Sequence, residues 1–222
     1  MTLAAVIFDF DGVILDSETA AYESHRRIYE RCGVPLTVDE WCAQIGLYAE
    51  DEERRWFQQL CARSSSPVTQ EEFEAEERRL FHELAPSEPM RGIRDLLAAL
   101  GDAGVPAAIA STSPRGWVVP ATERIGLTSM FGAIVSGDEV VRRKPAPDVY
   151  LEAARRLGVD PSEAVAIEDS GPGIASARAA GMKTVAIPHW LTDRHDLSAA
   201  DLRVAHAGEL TVPRLATLVR QP

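Results

Sequence analysis

The 222-residue chain has 45% hydrophobic and 26% charged residues, an ordinary globular composition, and is long enough for one large domain or a core with a small insertion. Its formal net charge of -11 argues against a protein that grips nucleic acid through the phosphates, which needs a basic face, while a local cationic pocket still allows a small anionic ligand. The three cysteines, Cys32, Cys42 and Cys61, are odd in number and lack Cys-x-x-Cys spacing, so they suggest neither a disulfide framework nor a zinc site and read as reduced thiols of a cytoplasmic protein.

Ala4, Ala5, Val6, Ile7 and Phe8 form an apolar run short enough for a strand buried on both faces, and it stops at Asp9-Phe10-Asp11-Gly12. The run lacks a basic leader and is interrupted by the two aspartates, so it does not read as a signal peptide. No apolar stretch approaches the length of a membrane span. Residues 16–87 change character. SETAAYESHRRIYERCG, TVDEWCAQIG, AEDEERRWFQQLCAR and TQEEFEAEERRLFHEL carry helical periodicity, with Thr37 and Thr69 as caps and Gly33 as a stop. Ser64-Ser65-Ser66-Pro67 reads as a loop. Pro86, Pro89 and Gly92 then open a region of alternating helices and strands. RDLLAALGDAG reads as a helix, PAAIAS as a strand, and PRGWVVPATERIG as a helix that Pro120 is expected to bend. AIVS, AVAIE and KTVAIP read as strands, with the helices PDVYLEAARRLG and GIASARAAG between them. In the tail, RVAH is expected as an edge strand and VPRLATLVR as a final helix. The alternation implies a mostly parallel sheet covered by helices on both sides.

Chemistry-bearing residues gather at the ends of these strands. Asp9 and Asp11 flank one residue where open α/β sheets bind ligands, and Gly12 permits a tight course beside them. A lone Asp-x-Asp is more often a loop with acidic punctuation. Here it has company: AIASTS ends in the hydroxyl of Ser111, RRKPAPDVY places Lys144 ahead of a helix start, and AIEDSGPG delivers Glu168 and Asp169 into a glycine-punctuated turn. Pro147 and Asp148 suit a first helical turn, so part of the lysine segment serves structure.

Asp9, Phe10, Asp11, Gly12 and Val13, continuing into Asp16, Ser17 and Glu18, together with the other three segments in this order, resemble the haloacid dehalogenase-like hydrolases, in the branch of beta-phosphoglucomutases and small sugar-phosphate phosphatases. The resemblance implies a Rossmann-like α/β core over residues 1–15 and 88–222 and an inserted small α-helical cap over 16–87. It also implies that Asp9 is the nucleophile, forming an aspartyl-phosphate, and Asp11 the general acid and base. By the same resemblance Ser111 and Lys144 bind the phosphoryl group, with Thr112 and Ser113 near enough to assist. Asp9, Asp11 through its backbone carbonyl, Asp169 and Glu168 are then the metal positions. Carboxylates converging at about 4 Å repel by roughly 4 kcal/mol per pair at an effective dielectric of about 20, a conflict that a divalent cation removes. All-oxygen ligands and a phosphate substrate point to Mg²⁺ rather than zinc.

The resulting expectation is a Mg²⁺-dependent phosphatase of a small phosphorylated metabolite such as a sugar phosphate, without nucleic-acid or membrane partners and with the oligomeric state open. A hexose phosphate mutase uses the same core. The mutases typically carry a cap-hinge histidine and a phosphate-gripping arginine where this chain, aligned from Asp9 and from Ile45-Gly46, has Ala21 and Ala49. A receiver-type signalling domain shares the aspartate, Mg²⁺ and lysine but not the helical insertion or the Asp-x-Asp spacing. In the family, specificity comes largely from the cap, where His25, Tyr48, Arg54, Arg55 and Trp56 are candidates to face the site.

Overall fold

The opening apolar run forms β1 (Ala5–Phe8), every residue of it buried, at the centre of a sheet. The computed structural model describes residues 2–43, 52–65 and 68–220. Beside β1 lie β2 (Ala107–Ala110) and β4 (Ala164–Glu168), with Ile7 level with Ala108 on one side and Ala166 on the other. β3 (Ala133–Val135) lies beyond β2, and β5 (Lys183–Ala186) followed by β6 (Leu202–Arg203) lie beyond β4. Among the described residues the order is β3-β2-β1-β4-β5-β6 and every pairing is parallel. The chain therefore runs outward from β1 one way and returns to run outward the other way from β4. That reversal opens a crevice at the carboxyl ends of β1 and β4.

Alternating residues of the strands feed two cores. Val6, Phe8, Ile109, Val165 and Ile167 pack with α5 (Ile93–Asp102), α6 (Arg115–Arg124) and α9 (Val212–Leu218). Ala5, Ala108, Ala110, Ala164 and Ala166 face the other way, towards α7 (Asp148–Leu157) and α8 (Gly171–Ala179). The small side chains on this second face leave room for those helices to approach the sheet closely.

Between β1 and α5 the described chain is helical: α1 (Ser17–Arg31), α2 (Val38–Cys42), α3 (Glu52–Arg63) and α4 (Gln70–Leu84). Thr37 and Thr69 form capping boxes with Glu40 and Glu72, as expected from sequence, and Gly33 leaves α1 with a positive φ of 72°. These helices bury a cluster of their own, including Tyr29, Trp41, Trp56, Leu60 and Phe73, which Leu191 enters from the segment after β5. The helix expected over PRGWVVPATERIG forms as α6 with Pro120 inside it. One local expectation shifts: the tail strand is Leu202–Arg203, overlapping RVAH only at Arg203. A two-residue edge strand is too short to show a period of its own. The segment from Ile45-Gly46 to Tyr48 and Ala49 and the Ser66-Pro67 part of the serine loop lie outside the described residues.

Candidate active site

β1 hands over to the site without a break. The amide of Asp9 still donates to the Ile167 carbonyl at 2.9 Å, and the chain then turns through Gly12, whose φ is +79°. A Cβ there would meet the carboxylate of Asp169 at 2.5 Å, so glycine is needed both for the backbone conformation and for the close approach of the two acidic segments.

Lys144 is the hinge of the charge arrangement. Its ammonium is buried and donates to Asp9 Oδ1 at 2.5 Å and to Glu168 Oε1 at 2.6 Å. Tyr150 Oη donates to the same Glu168 oxygen at 2.7 Å, and its ring lies 5.0 Å from Lys144 Nζ. The other Glu168 oxygen accepts from Ser170 Oγ at 3.1 Å and, at longer range, from the amides of Asp169 and Ser170. Glu168 is thus a fully buried carboxylate whose oxygens both have donors. Gly173 in the first turn of α8 leaves room for it, since a Cβ at that position would overlap its carboxyl group. Asp169, the next residue, accepts from Thr192 Oγ1 at 3.0 Å.

Asp9, Glu168 and Asp169 each offer an oxygen within 4.8 Å of the others. Burial pushes the Asp9 carboxyl well above its ordinary value; Lys144 opposes this, and Glu168, Asp169 and Asp11 add to the upward push. Asp169 is likewise raised by burial and then by Glu168 and Glu18, with the Thr192 bond acting against them. Burial would lower the Lys144 ammonium, but Asp9 and Glu168 outweigh it and hold it above its ordinary value. Lys144 pairs with two of the three carboxylates, Asp9 and Glu168, so full ionisation of the cluster exceeds the charge of that ammonium. An all-oxygen cluster with that deficit is suited to a divalent cation.

Asp11 points elsewhere. Its Oδ1 accepts from Ser17 Oγ at 2.5 Å and Trp117 Nε1 at 2.9 Å, and its Oδ2 from Ser113 Oγ at 2.7 Å and Ser111 Oγ at 3.3 Å. Its carboxylate is outside the three-acid cluster, leaving the backbone carbonyl as its expected link to a metal. Ser111 follows β2 and also accepts from the amide of Ser113 at 3.0 Å. A recess of 80 Å³ is lined by Asp9, Asp11, Thr112, Ser113, Lys144 and Asp169, among others. A larger cleft of 940 Å³ extends from Asp11 towards the helical block, where Ala21, His25, Trp41, Arg54 and Trp56 contribute to its wall. Arg55 does not line it; Tyr48 lies outside the described residues.

The expected site residues Asp9, Asp11, Ser111, Glu168 and Asp169, which follow or end strands, and Lys144, which precedes α7, therefore come together. Trp117 and Thr192, which bond Asp11 and Asp169, were not legible beforehand, because neither sits in a recognisable short pattern. Ser17 and Tyr150 stand inside the quoted segments, and their hydrogen bonding becomes evident only once the fold sets them against Asp11 and Glu168.

Residues 6–187 match the haloacid dehalogenase-like hydrolase family. YhcW of Bacillus subtilis is 36% identical, with 96% of each chain covered. A phosphorylated carbohydrates phosphatase of Thermotoga maritima is 31% identical, with 86% of this chain and 88% of that one covered. Among solved structures, a haloacid dehalogenase family hydrolase of Deinococcus radiodurans with bound phosphate and sodium is 28% identical, with a TM-score of 0.76 and 94% of this chain and 93% of that one covered. With the sheet order and the carboxylates at the crevice, these matches show that the chain belongs to the haloacid dehalogenase-like hydrolases.

Proposed function

We propose that the protein is a Mg²⁺-dependent phosphatase that hydrolyses a small phosphorylated metabolite, such as a sugar phosphate, through a phosphorylated Asp9. The class, a phosphoric monoester hydrolase, follows from the family and from the phosphatase named among its relatives. The observation that carries the mechanism is the buried Asp9–Lys144–Glu168 chain beside Asp169, with Asp11 at the same crevice. Asp9 attacks phosphorus as the ester P–O bond breaks, while Asp11 gives a proton to the leaving oxygen. Asp11 then takes a proton from the water that attacks the acyl phosphate, and Asp9 is released as a carboxylate. Lys144 neutralises phosphoryl oxygens and holds Asp9; Ser111 and the amides beyond it donate to the same group. Asp9, the Asp11 carbonyl, Asp169 and Glu168, directly or through water, would hold the Mg²⁺. When bound it would neutralise charge on the transferring group.

In this reading residues 16–87 form the cap over a core of 1–15 and 88–222, supported by the helical block's own buried cluster and its share of the cleft wall. Hydrolysis is preferred over mutase chemistry because Ala21, at the cleft wall, offers no proton-transfer group. The free Cys32, Cys42 and Cys61 support a cytoplasmic protein, and among the described residues no helix is long and apolar enough to cross a membrane. A panel of phosphorylated metabolites assayed for inorganic phosphate, with Mg²⁺ and with chelator, tests the proposal. Metal-dependent release from at least one sugar phosphate is expected. Efficient isomerisation of beta-glucose 1-phosphate with negligible phosphate release would make the protein a mutase.

A further inference from the structure

Resting on the reading of Asp11 as acid and base, we propose that Trp117 is its positioning residue, an indole that can only donate and so fixes which Asp11 oxygen carries the transferable proton. Ser17, Ser111 and Ser113 also bond the Asp11 carboxylate, but a serine hydroxyl both donates and accepts and can turn round when its partner gains a proton. The indole N–H at 2.9 Å from Oδ1 has no such freedom. Oδ1 therefore stays an acceptor through the cycle. The proton belongs on Oδ2, on the side of Ser111 and Ser113, and Ser113 shares the small recess with Asp9 and Lys144.

The indole is itself held from several sides. Trp117 lies in the first turn of α6, its amide donating to the Pro114 carbonyl at 2.9 Å. Phe10 meets its ring edge-on at 6.3 Å between centroids, and the Arg124 guanidinium lies 5.7 Å from it. The closest ring is Phe81 of α4, edge-on at 4.7 Å, which belongs to the helical block. Seating of that block against α6 and the aim of Asp11 are thereby joined through one side chain.

In the first half-reaction the proton on Oδ2 goes to the leaving oxygen as that oxygen's bond to phosphorus breaks and the Asp9 oxygen–phosphorus bond forms. In the second, Oδ2 receives a proton from water as the water oxygen bonds to phosphorus and the Asp9 oxygen–phosphorus bond breaks.

The test is Trp117→Phe, assayed by kcat/KM on phenyl phosphate and 4-nitrophenyl phosphate. These esters are close in shape, but nitrophenolate leaves with little need of a proton. The expected result is a folded variant in which phenyl phosphate loses on the order of 10-fold more than 4-nitrophenyl phosphate, because misdirected acid catalysis is felt most by the poorer leaving group. Phe81→Leu, which keeps the indole donor but removes its seat, should show the same selectivity in smaller measure, and it decides the matter should Trp117→Phe not fold. Equal losses on both esters, or no loss, overturn the proposal. A wild type inactive on both esters and on the metabolite panel overturns the phosphatase reading, and this inference with it.

Discussion

At Lys144 stability and the proposed chemistry meet in one side chain. Its ammonium is the shared partner of Asp9 and Glu168, so Lys144→Ala leaves two buried carboxylates facing each other and should cost about 3–5 kcal/mol of stability. It should also lower turnover by about 100-fold or more, as the loss of a preorganised donor to the phosphoryl group. Thermal melts and phosphate release measure the two effects. An unchanged Tm with full activity would make Lys144 a bystander. Asp9→Asn separates the same two quantities in the opposite way: it removes one charge from a crowded cluster, so the Tm should hold or rise while turnover is lost. At this scale the sequence was legible where a residue's place is set by its own strand end, as for Asp9, Ser111, Glu168 and Asp169. It was not legible for Trp117 and Thr192, whose partners Asp11 and Asp169 are far away along the chain and are met only through tertiary packing.

Among the elements, α1 carries a titratable group that ties the helical block to pH. His25 packs against Trp41, Trp56 and Phe73 at centroid distances of 5.0, 5.7 and 5.6 Å. Its Nδ1 lies 2.9 Å from the Ala21 carbonyl, which can only accept, so Nδ1 carries the hydrogen. Burial lowers its pKa from 6.5 to about 4, with the Ala21 bond acting the other way. The unfolded chain thus takes up this proton near pH 6.5 and the folded chain only near pH 4. The contribution is fully present above pH 6.5 and is lost as pH falls through that window, by about 3 kcal/mol at its lower end. His25→Phe should flatten the fall in Tm between those limits, and an unaltered pH profile would mean that His25 titrates normally. The helix boundaries here were readable because capping is local: Thr37 with Glu40, and Thr69 with Glu72, need only three residues of context. In the tail the final helix was readable too, since α9 lies within VPRLATLVR, but the edge strand was displaced, because β6 is specified by its pairing with β5 rather than by any pattern in Leu202–Arg203.

At the scale of the whole molecule, alternation of strands and helices announces a parallel sheet, but it does not announce the order of the strands, which depends on which way each crossover turns. The order observed sets β1 beside β4 and so brings residues 9 and 169 into one cluster. A cation that binds there only in the folded state should raise the Tm, with about 2.7 kcal/mol gained at 100 times its dissociation constant. Asp169→Ala should remove most of that Mg²⁺-dependent shift; an equal shift in the variant would take Asp169 out of the metal site. In the proposed mechanism the phosphoryl group passes through Asp9. The most direct measurement is to quench turnover of a good substrate in the presence of Mg²⁺, reduce any acyl phosphate with borohydride and locate the product by mass spectrometry. The expected result is homoserine at position 9, dependent on substrate and metal and absent from Asp9→Asn. Rapid phosphate release with no label at Asp9, and undiminished activity in Asp9→Asn, would contradict it.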